Sequence, residues 1–129
     1  MHDAPPPHRH RWRLVIAAFA ASSALLAGCA GSAMNDARTG TPYKTLTSEK
    51  PEKVVAQCVQ FAWQDEAVFG VDAGAYLQPG KKGGSTVYTR SAESFVDLTT
   101  AVTGTELSYY AQRDDFVAKR RLAALATCL

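Results

Sequence analysis

Histidine is almost missing from this sequence. All three histidines lie within the first ten residues, at His2, His8 and His10, and none follows. A Ser-His or Cys-His catalytic pair and a histidine-ligated metal site are therefore excluded from the rest of the chain. The sequence also lacks a Cys-x-x-Cys redox pair and a Walker or dinucleotide-binding glycine motif. We therefore predict a protein that is not an enzyme and that binds no cofactor or metal.

A surplus of either charge is also missing once the N-terminal segment is set aside. The 129 residues hold 14 basic and 12 acidic side chains, for a formal net charge of +2. Three of the arginines and one aspartate precede residue 29, which leaves eleven side chains of each sign in the remainder. A neutral domain has no long-range attraction for a phosphate backbone, so the sequence predicts no nucleic-acid partner.

A short uncharged run lies near the N-terminus. Residues 1–13 are polar and basic, and residues 14–28 contain no charged side chain. Fifteen helical residues span about 22 Å, which is less than the roughly 30 Å hydrocarbon core of a bilayer. A basic segment followed by a short apolar one is typical of a secretory signal peptide, which we predict for residues 1–28.

The uncharged run ends in an aliphatic residue, two small residues and a cysteine: Leu26, Ala27, Gly28 and Cys29. This tetrapeptide resembles a bacterial lipobox, the recognition site of the lipoprotein signal peptidase. The resemblance implies that Cys29 receives a diacylglyceryl group and becomes the acylated first residue, and two or more acyl chains anchor a protein stably. Because Ala30 rather than aspartate follows, the resemblance further implies sorting to the outer membrane. The alternative is an ordinary leader with Cys29 as a bystander.

The next residues predict a tether and then a folded domain. Residues 29–47 show no sustained apolar period and are rich in glycine, serine and threonine, which favours a flexible linker. The eighteen residues after Cys29, 30–47, have a root-mean-square reach of about 23 Å. Residues 48–129 carry the periodic apolar patterns, and we expect them to form one small periplasmic domain.

The patterns within residues 48–129 predict a helix, a meander and a helix. Ser48 and Pro51 are typical of a helix start, and apolar residues recur at helical spacing until just before Phe69. Period-two alternation between residues 71 and 111 predicts three or four antiparallel strands. Asp114 and Asp115 begin a last helix with an aspartate cap. The sequence thus predicts an α+β fold in which both helices cover one face of an antiparallel sheet.

Three cysteines are an odd number for an exported protein, and lipidation of Cys29 leaves Cys58 and Cys128 to pair. A bridge between them would join the two helices and close a loop of about 70 residues, which is worth roughly 4 kcal/mol in the chain-entropy model. In an oxidising compartment we expect this disulfide. The alternative is a pair of buried thiols.

Candidate binding residues are few. Positive charge is concentrated around the last helix, where it forms a candidate surface for anionic lipid or an acidic partner: Arg113, Lys119, Arg120 and Arg121. Tyr88 and Tyr110 are expected on the outward face of the sheet as a candidate stacking platform. The ordinary interpretations are a solvated helix face and cross-strand pairs. An enzyme would need a deep pocket that gathers at least two of four carboxylates: Asp65, Asp72, Asp97 and Glu106.

One further pattern links Ser48-x-Lys50-Pro51-Glu52-x-Val54-x-x-Cys58 to a strand meander, Tyr109-Tyr110 and a helix ending at Cys128. It resembles a group of small, uncharacterised proteobacterial lipoproteins over most of residues 26–129, and it implies the anchor and the fold without a catalytic residue. We therefore expect a lipid-anchored, non-catalytic module of the outer membrane that binds another envelope protein. The alternative is an inhibitor that blocks an envelope hydrolase such as a lysozyme with the loop 79–84.

Overall fold

The computed structural model describes residues 29–129, so the predicted signal peptide, with Leu26, Ala27 and Gly28, lies outside the described residues. Residues 29–37 are helical and are named α1 here. The elements that follow are β1 (Lys44–Ser48), α2 (Glu52–Asp65) with a 3₁₀ turn (Glu66–Phe69), β2 (Ala75–Pro79), β3 (Ser85–Thr89), a second 3₁₀ turn (Arg90–Ala92), β4 (Ser94–Ala101), β5 (Gly104–Ala111) and α3 (Phe116–Ala126).

The strands of the described residues form one five-stranded antiparallel sheet in the order β1-β5-β4-β3-β2. Strands β2 to β5 are the predicted meander, because each pairs with its neighbour in sequence. The predicted count of three to four strands is too low, because β1 pairs with β5 at the edge of the sheet. Leu46 is the only apolar residue of β1, so alternation of apolar residues could not reveal this strand.

The predicted layer of two helices on one face of the sheet is confirmed, and with it the α+β fold class. Trp63 of α2 and Leu125 of α3 are fully buried against Leu107 and Tyr109 of β5 in one core cluster. The predicted disulfide is also present: the Cα atoms of Cys58 and Cys128 are 5.7 Å apart, and the bond joins α2 to the end of the chain after α3.

The structure differs from the predicted tether over residues 29–47. Helix α1 packs on the opposite face of the sheet, where Met34 is 2% exposed and contacts the cluster of Ala92 and Phe95. β1 adds five more ordered residues, so the folded part begins well before residue 48. The residues of α1 are mostly small, and a composition rich in small residues predicts a linker because it shows no sustained apolar period.

The two predicted helix starts have different outcomes. Asp115 caps α3, because its carboxylate accepts a hydrogen bond from the Ala118 amide at 3.0 Å, as predicted. Ser48 does not cap α2. It is the last residue of β1, its hydroxyl accepts from the Lys50 amide at 3.2 Å, and α2 begins after Pro51 without a side-chain cap.

Candidate functional site

The four basic residues predicted as one binding surface do not share a surface. Arg121 is 1% exposed and lies in the core, with its guanidinium 5.7 Å from the ring centroid of Trp63 and Nη2 donating to the Asp72 carbonyl at 3.3 Å. Burial lowers the pKa of the Arg121 guanidinium. Its Nε and Nη1 atoms have no hydrogen-bond partner among residues 29–129. Arg121 therefore cannot serve an exposed partner.

The other three cations of the predicted surface each have a carboxylate partner. Arg120 forms a bidentate pair with Glu66, at 2.8 and 3.0 Å, and its guanidinium lies 3.9 Å from the ring centroid of Phe69. Arg113 and Lys119 lie 3.0 to 3.5 Å from exposed carboxylates of the neighbouring turns. The structure thus does not assemble these residues into one unpaired positive surface.

A polar groove of about 210 Å³ lies on the α1 face of the sheet. It brings together two of the four carboxylates that an enzyme would need, Asp97 and Glu106. In the register of β4 and β5 these residues are diagonal neighbours on one face, because Asp97 lies opposite Ser108 and Glu106 opposite Thr99. Asp65 and Asp72 do not line this groove.

Both oxygens of the Asp97 carboxylate accept hydrogen bonds from neighbouring side chains. Arg38 donates to it through Nε and Nη2, both at 2.7 Å, and the Thr86 hydroxyl donates at 2.6 Å. The hydrogen bond to Asp97 raises the pKa of Arg38. A general acid or base needs an oxygen within reach of a substrate proton, and both oxygens of Asp97 already accept from the protein. The groove therefore offers no pair of accessible catalytic carboxylates.

Tyr88 and Tyr110 both lie on the α1 face, but they do not form a stacking platform together. Tyr110 stacks on Phe95 with ring centroids 4.5 Å apart, and Tyr88 packs against Tyr76 at 5.4 Å. Each pair consists of residues directly opposite one another on neighbouring strands. The ordinary interpretation as cross-strand pairs is therefore confirmed.

An exposed apolar row along α2, which sequence reasoning missed, is the candidate interaction surface. Val54, Phe61 and Val68 are 53%, 60% and 81% exposed, and we name them the α2 stripe. They follow one another at intervals of seven, which is close to two helical turns, so they lie on one side of α2 and its 3₁₀ extension. This is the side opposite the buried Trp63. The spacing of seven residues between these apolar side chains is visible in the sequence and could have revealed the stripe.

Cys29, the predicted lipidation site, is exposed in α1. Met34 is buried only five residues later, about 8 Å along the helix. A group attached to Cys29 would therefore lie close to the body of the domain.

The described residues 29–129 contain no helix long and apolar enough to cross a membrane, and no group of three or more His, Cys, Asp or Glu side chains that could hold a metal ion. The geometry that remains is an exposed apolar stripe on α2, an exposed Cys29 and a polar groove without an accessible carboxylate pair. No protein family, curated protein or solved structure matches this chain.

Proposed function

We propose that the protein is a non-catalytic interaction module that is held at the bacterial outer membrane, facing the periplasm, by acyl chains on Cys29. Its partner is another envelope protein, bound through the α2 stripe. The observation that carries this proposal is the row of three apolar side chains, each more than half exposed, on one side of a helix whose other side is fully packed.

The α2 stripe has the composition of an interface rather than of an ordinary surface. The residues of the α2 stripe are spaced about 10 Å apart along the helix, and exposed apolar residues that gather on one side of an element indicate a contact site more strongly than scattered ones do. An amphipathic helix that presents apolar residues at regular spacing is a usual recognition element. Next to Val68, Phe69 is 58% exposed and is covered by the guanidinium of Arg120, and aromatic and arginine side chains are enriched at interfaces.

The two sides of the sheet support separate roles for anchor and partner. Cys29 lies in α1 on one face, and the α2 stripe lies on the outer side of the layer that covers the other face. A domain anchored through Cys29 therefore keeps the α2 stripe accessible. The lipobox resemblance supplies the chemistry of the anchor, and the exposure of Cys29 is compatible with an attached lipid.

Metabolic labelling tests the anchor. Cells that express the full chain and take up radiolabelled palmitate are expected to yield a labelled protein in the membrane fraction. The Cys29→Ser variant is expected to carry no label and to appear in the soluble periplasmic fraction. An unlabelled wild-type protein, or equal labelling of the variant, would overturn the acylation of Cys29.

Cross-linking in cells followed by mass spectrometry tests the partner surface. The Phe61→Ser variant is expected to capture the envelope partner about tenfold less than the wild type does, because an aromatic residue at the centre of an interface carries a large share of the affinity. Phe116→Ser is the matched control, since Phe116 is 65% exposed but lies on α3. Equal capture by Phe61→Ser and Phe116→Ser would rule out the α2 stripe as the partner surface.

One observation favours the alternative of a hydrolase inhibitor. The loop 79–84 is held in shape by a hydrogen bond from the Gly80 amide to the Gly84 carbonyl at 3.0 Å, and Lys81 Nζ donates to Asn35 at 3.0 Å. A loop that is already ordered loses little entropy when it enters an active site. A lysozyme assay with the purified full chain tests this alternative, and the absence of inhibition at micromolar protein would remove it for that enzyme.

A further inference from the structure

A cavity of about 340 Å³ lies beside the first described residues, between α1 and strands β2 and β3. Ala30 and Gly31 form one wall, and Tyr76, Tyr88 and Arg90 form the other. Cys29 directly precedes Ala30, and consecutive Cα atoms are about 3.8 Å apart. Any group that leaves the chain at Cys29 therefore starts at the rim of this cavity.

The membrane attachment joins the domain at Cys29, whether Cys29 is acylated or the leader is retained. Under the proposed acylation, the chains leave from the sulfur of Cys29. In a chain that keeps its leader, the uncharged residues 14–28 end directly before Cys29. In both cases the membrane attachment joins the domain at Cys29. Little flexible chain separates this attachment from the body of the domain, because Met34 is buried five residues later and Arg38 is held by Asp97 at 2.7 Å.

We propose that the surface formed by Tyr76, Tyr88 and Arg90 around this cavity is a membrane footprint that rests in the phospholipid headgroup layer. The proposal deepens the proposed function, but it requires only that the chain is attached to a membrane at or before Cys29. The groups that occupy the rim of the cavity are then lipid headgroups and glyceryl esters. The α2 stripe remains the surface for the protein partner.

The chemistry of the footprint suits a headgroup layer. Tyrosine rings prefer the membrane interface, since they have an apolar body and a polar hydroxyl. Tyr76 is 45% exposed and packs against Tyr88, so the two rings present one aromatic surface. The Arg90 side chain is 72% exposed, and its Nε lies 3.6 Å from the carboxylate of Asp72, beyond hydrogen-bond distance, so the guanidinium can still donate to a lipid phosphate.

A negative charge limits how the domain sits on the bilayer. Asp36 is exposed on the outer side of α1, seven residues and about 10 Å along the helix from Cys29. A carboxylate is repelled by the phosphates of anionic lipids, which disfavours an orientation with this side of α1 against the bilayer. The footprint residues lie at the end of the sheet next to Cys29, where the exposed carboxylates of Asp72 and Glu93 each lie beside an arginine. Val102 lies at the other end, about 23 Å along β4 from Phe95, the strand partner of Tyr88.

Photo-crosslinking in cells tests this footprint. A benzophenone amino acid replaces Tyr76 in the full chain, and the same substitution at the fully exposed Val102 is the matched control. In cells with radiolabelled phospholipids, we expect lipid adducts at position 76 to exceed those at position 102 about tenfold, because the headgroup layer is only about 5–8 Å thick. Equal yields, or a higher yield at position 102, would overturn the footprint.

A second pair of variants tests the role of charge. With the probe at position 76, Arg90→Ser is expected to lower the lipid adducts severalfold. Lys82→Ser, which removes an exposed cation from the turn at the other end of β2 and β3, is expected to leave them unchanged. An equal effect of the two variants would overturn the assignment of Arg90 to the footprint.

The outcomes separate this proposal from the proposed function. Lipid adducts at position 76 without palmitate on Cys29 would support the footprint and overturn the acylation. Palmitate on Cys29 with equal adducts at positions 76 and 102 would support the acylation and overturn the footprint.

Discussion

Different interactions hold the helices on the two faces of the sheet. On the α2–α3 face, thirteen buried residues form one cluster, and the Cys58–Cys128 disulfide joins the layer covalently. On the α1 face, the cluster has three buried residues, and the bidentate Arg38–Asp97 pair supplements it. Burial of apolar surface dominates folding stability. We therefore expect the α2–α3 face to provide most of the global stability, and α1 to contribute a smaller, local docking energy.

Removal of the disulfide is the largest expected effect on this comparison. The Cys58→Ala/Cys128→Ala variant is expected to lose about 4 kcal/mol of unfolding free energy, because the bridge closes a loop across 70 residues of sequence. Urea denaturation followed by circular dichroism measures the loss. Reduction of the wild-type protein is the control and should give a similar loss. A loss below about 1 kcal/mol would contradict the assignment of global stability to this face.

Alkaline pH provides a second test of the α2–α3 face. Burial raises the pKa of Tyr109 from 10.0 to about 12. The folded state therefore holds the Tyr109 proton more tightly than the unfolded chain does. The contribution of the protonated phenol to the free energy of unfolding is complete below pH 10 and is lost as the pH rises to 12. Two pKa units correspond to about 2–3 kcal/mol.

The Tyr109→Phe variant isolates this pH effect. Its unfolding free energy is expected to fall less than that of the wild type between pH 10 and 12. Tyr110→Phe is the matched control on the α1 face, where burial also raises the pKa of the phenol but the side chain is only partly buried. Parallel losses in the wild type and in Tyr109→Phe would show that Tyr109 does not carry the effect.

The sequence predicted the α2–α3 face better than the α1 face, for a physical reason. A large amphipathic helix reveals itself through periodic apolar residues, and two inward cysteines identified the disulfide. α1 contributes one large buried side chain, Met34, and is held further by polar contacts between distant parts of the sequence, such as that of Arg38 with Asp97, 59 residues apart. A contact between two charged residues so far apart in sequence leaves no local pattern to read.

Arg121 shows a miss that the sequence could have prevented. The cluster of basic residues predicts a surface position for Arg121, but it lies three residues after Ala118 and four before Leu125, both of which are buried in α3. Helical spacing outweighs side-chain charge in deciding which way a residue points. Its aliphatic stem packs in the core, and the Arg121 carbonyl accepts a hydrogen bond from Trp63 Nε1 at 2.9 Å.

Truncation of Met34 is the third test, and it probes the α1 face. Met34→Ala is expected to cost about 2 kcal/mol of α1 docking, and thus to raise amide exchange in residues 30–38 about 30-fold. Amides of β4 should exchange as in the wild type. Leu125→Ala is the matched control on the other face, since Leu125 is fully buried, and it should raise exchange throughout the domain. If Met34→Ala also raised exchange in β4, the two faces would form one cooperative unit.

The smallest expected effect comes from the ion pair. The side chains of Arg38 and Asp97 are 14% and 23% exposed, so their pair is stronger than a surface pair but is still partly solvated. Asp97→Asn is expected to weaken α1 docking by about 1 kcal/mol, read from amide exchange in residues 30–38. A double-mutant cycle with Arg38→Met isolates the coupling between the two side chains. A coupling near zero would leave Met34 as the main attachment of α1. A measurable coupling would mean that this pair also keeps Cys29 beside the membrane footprint, because α1 connects Cys29 to the sheet.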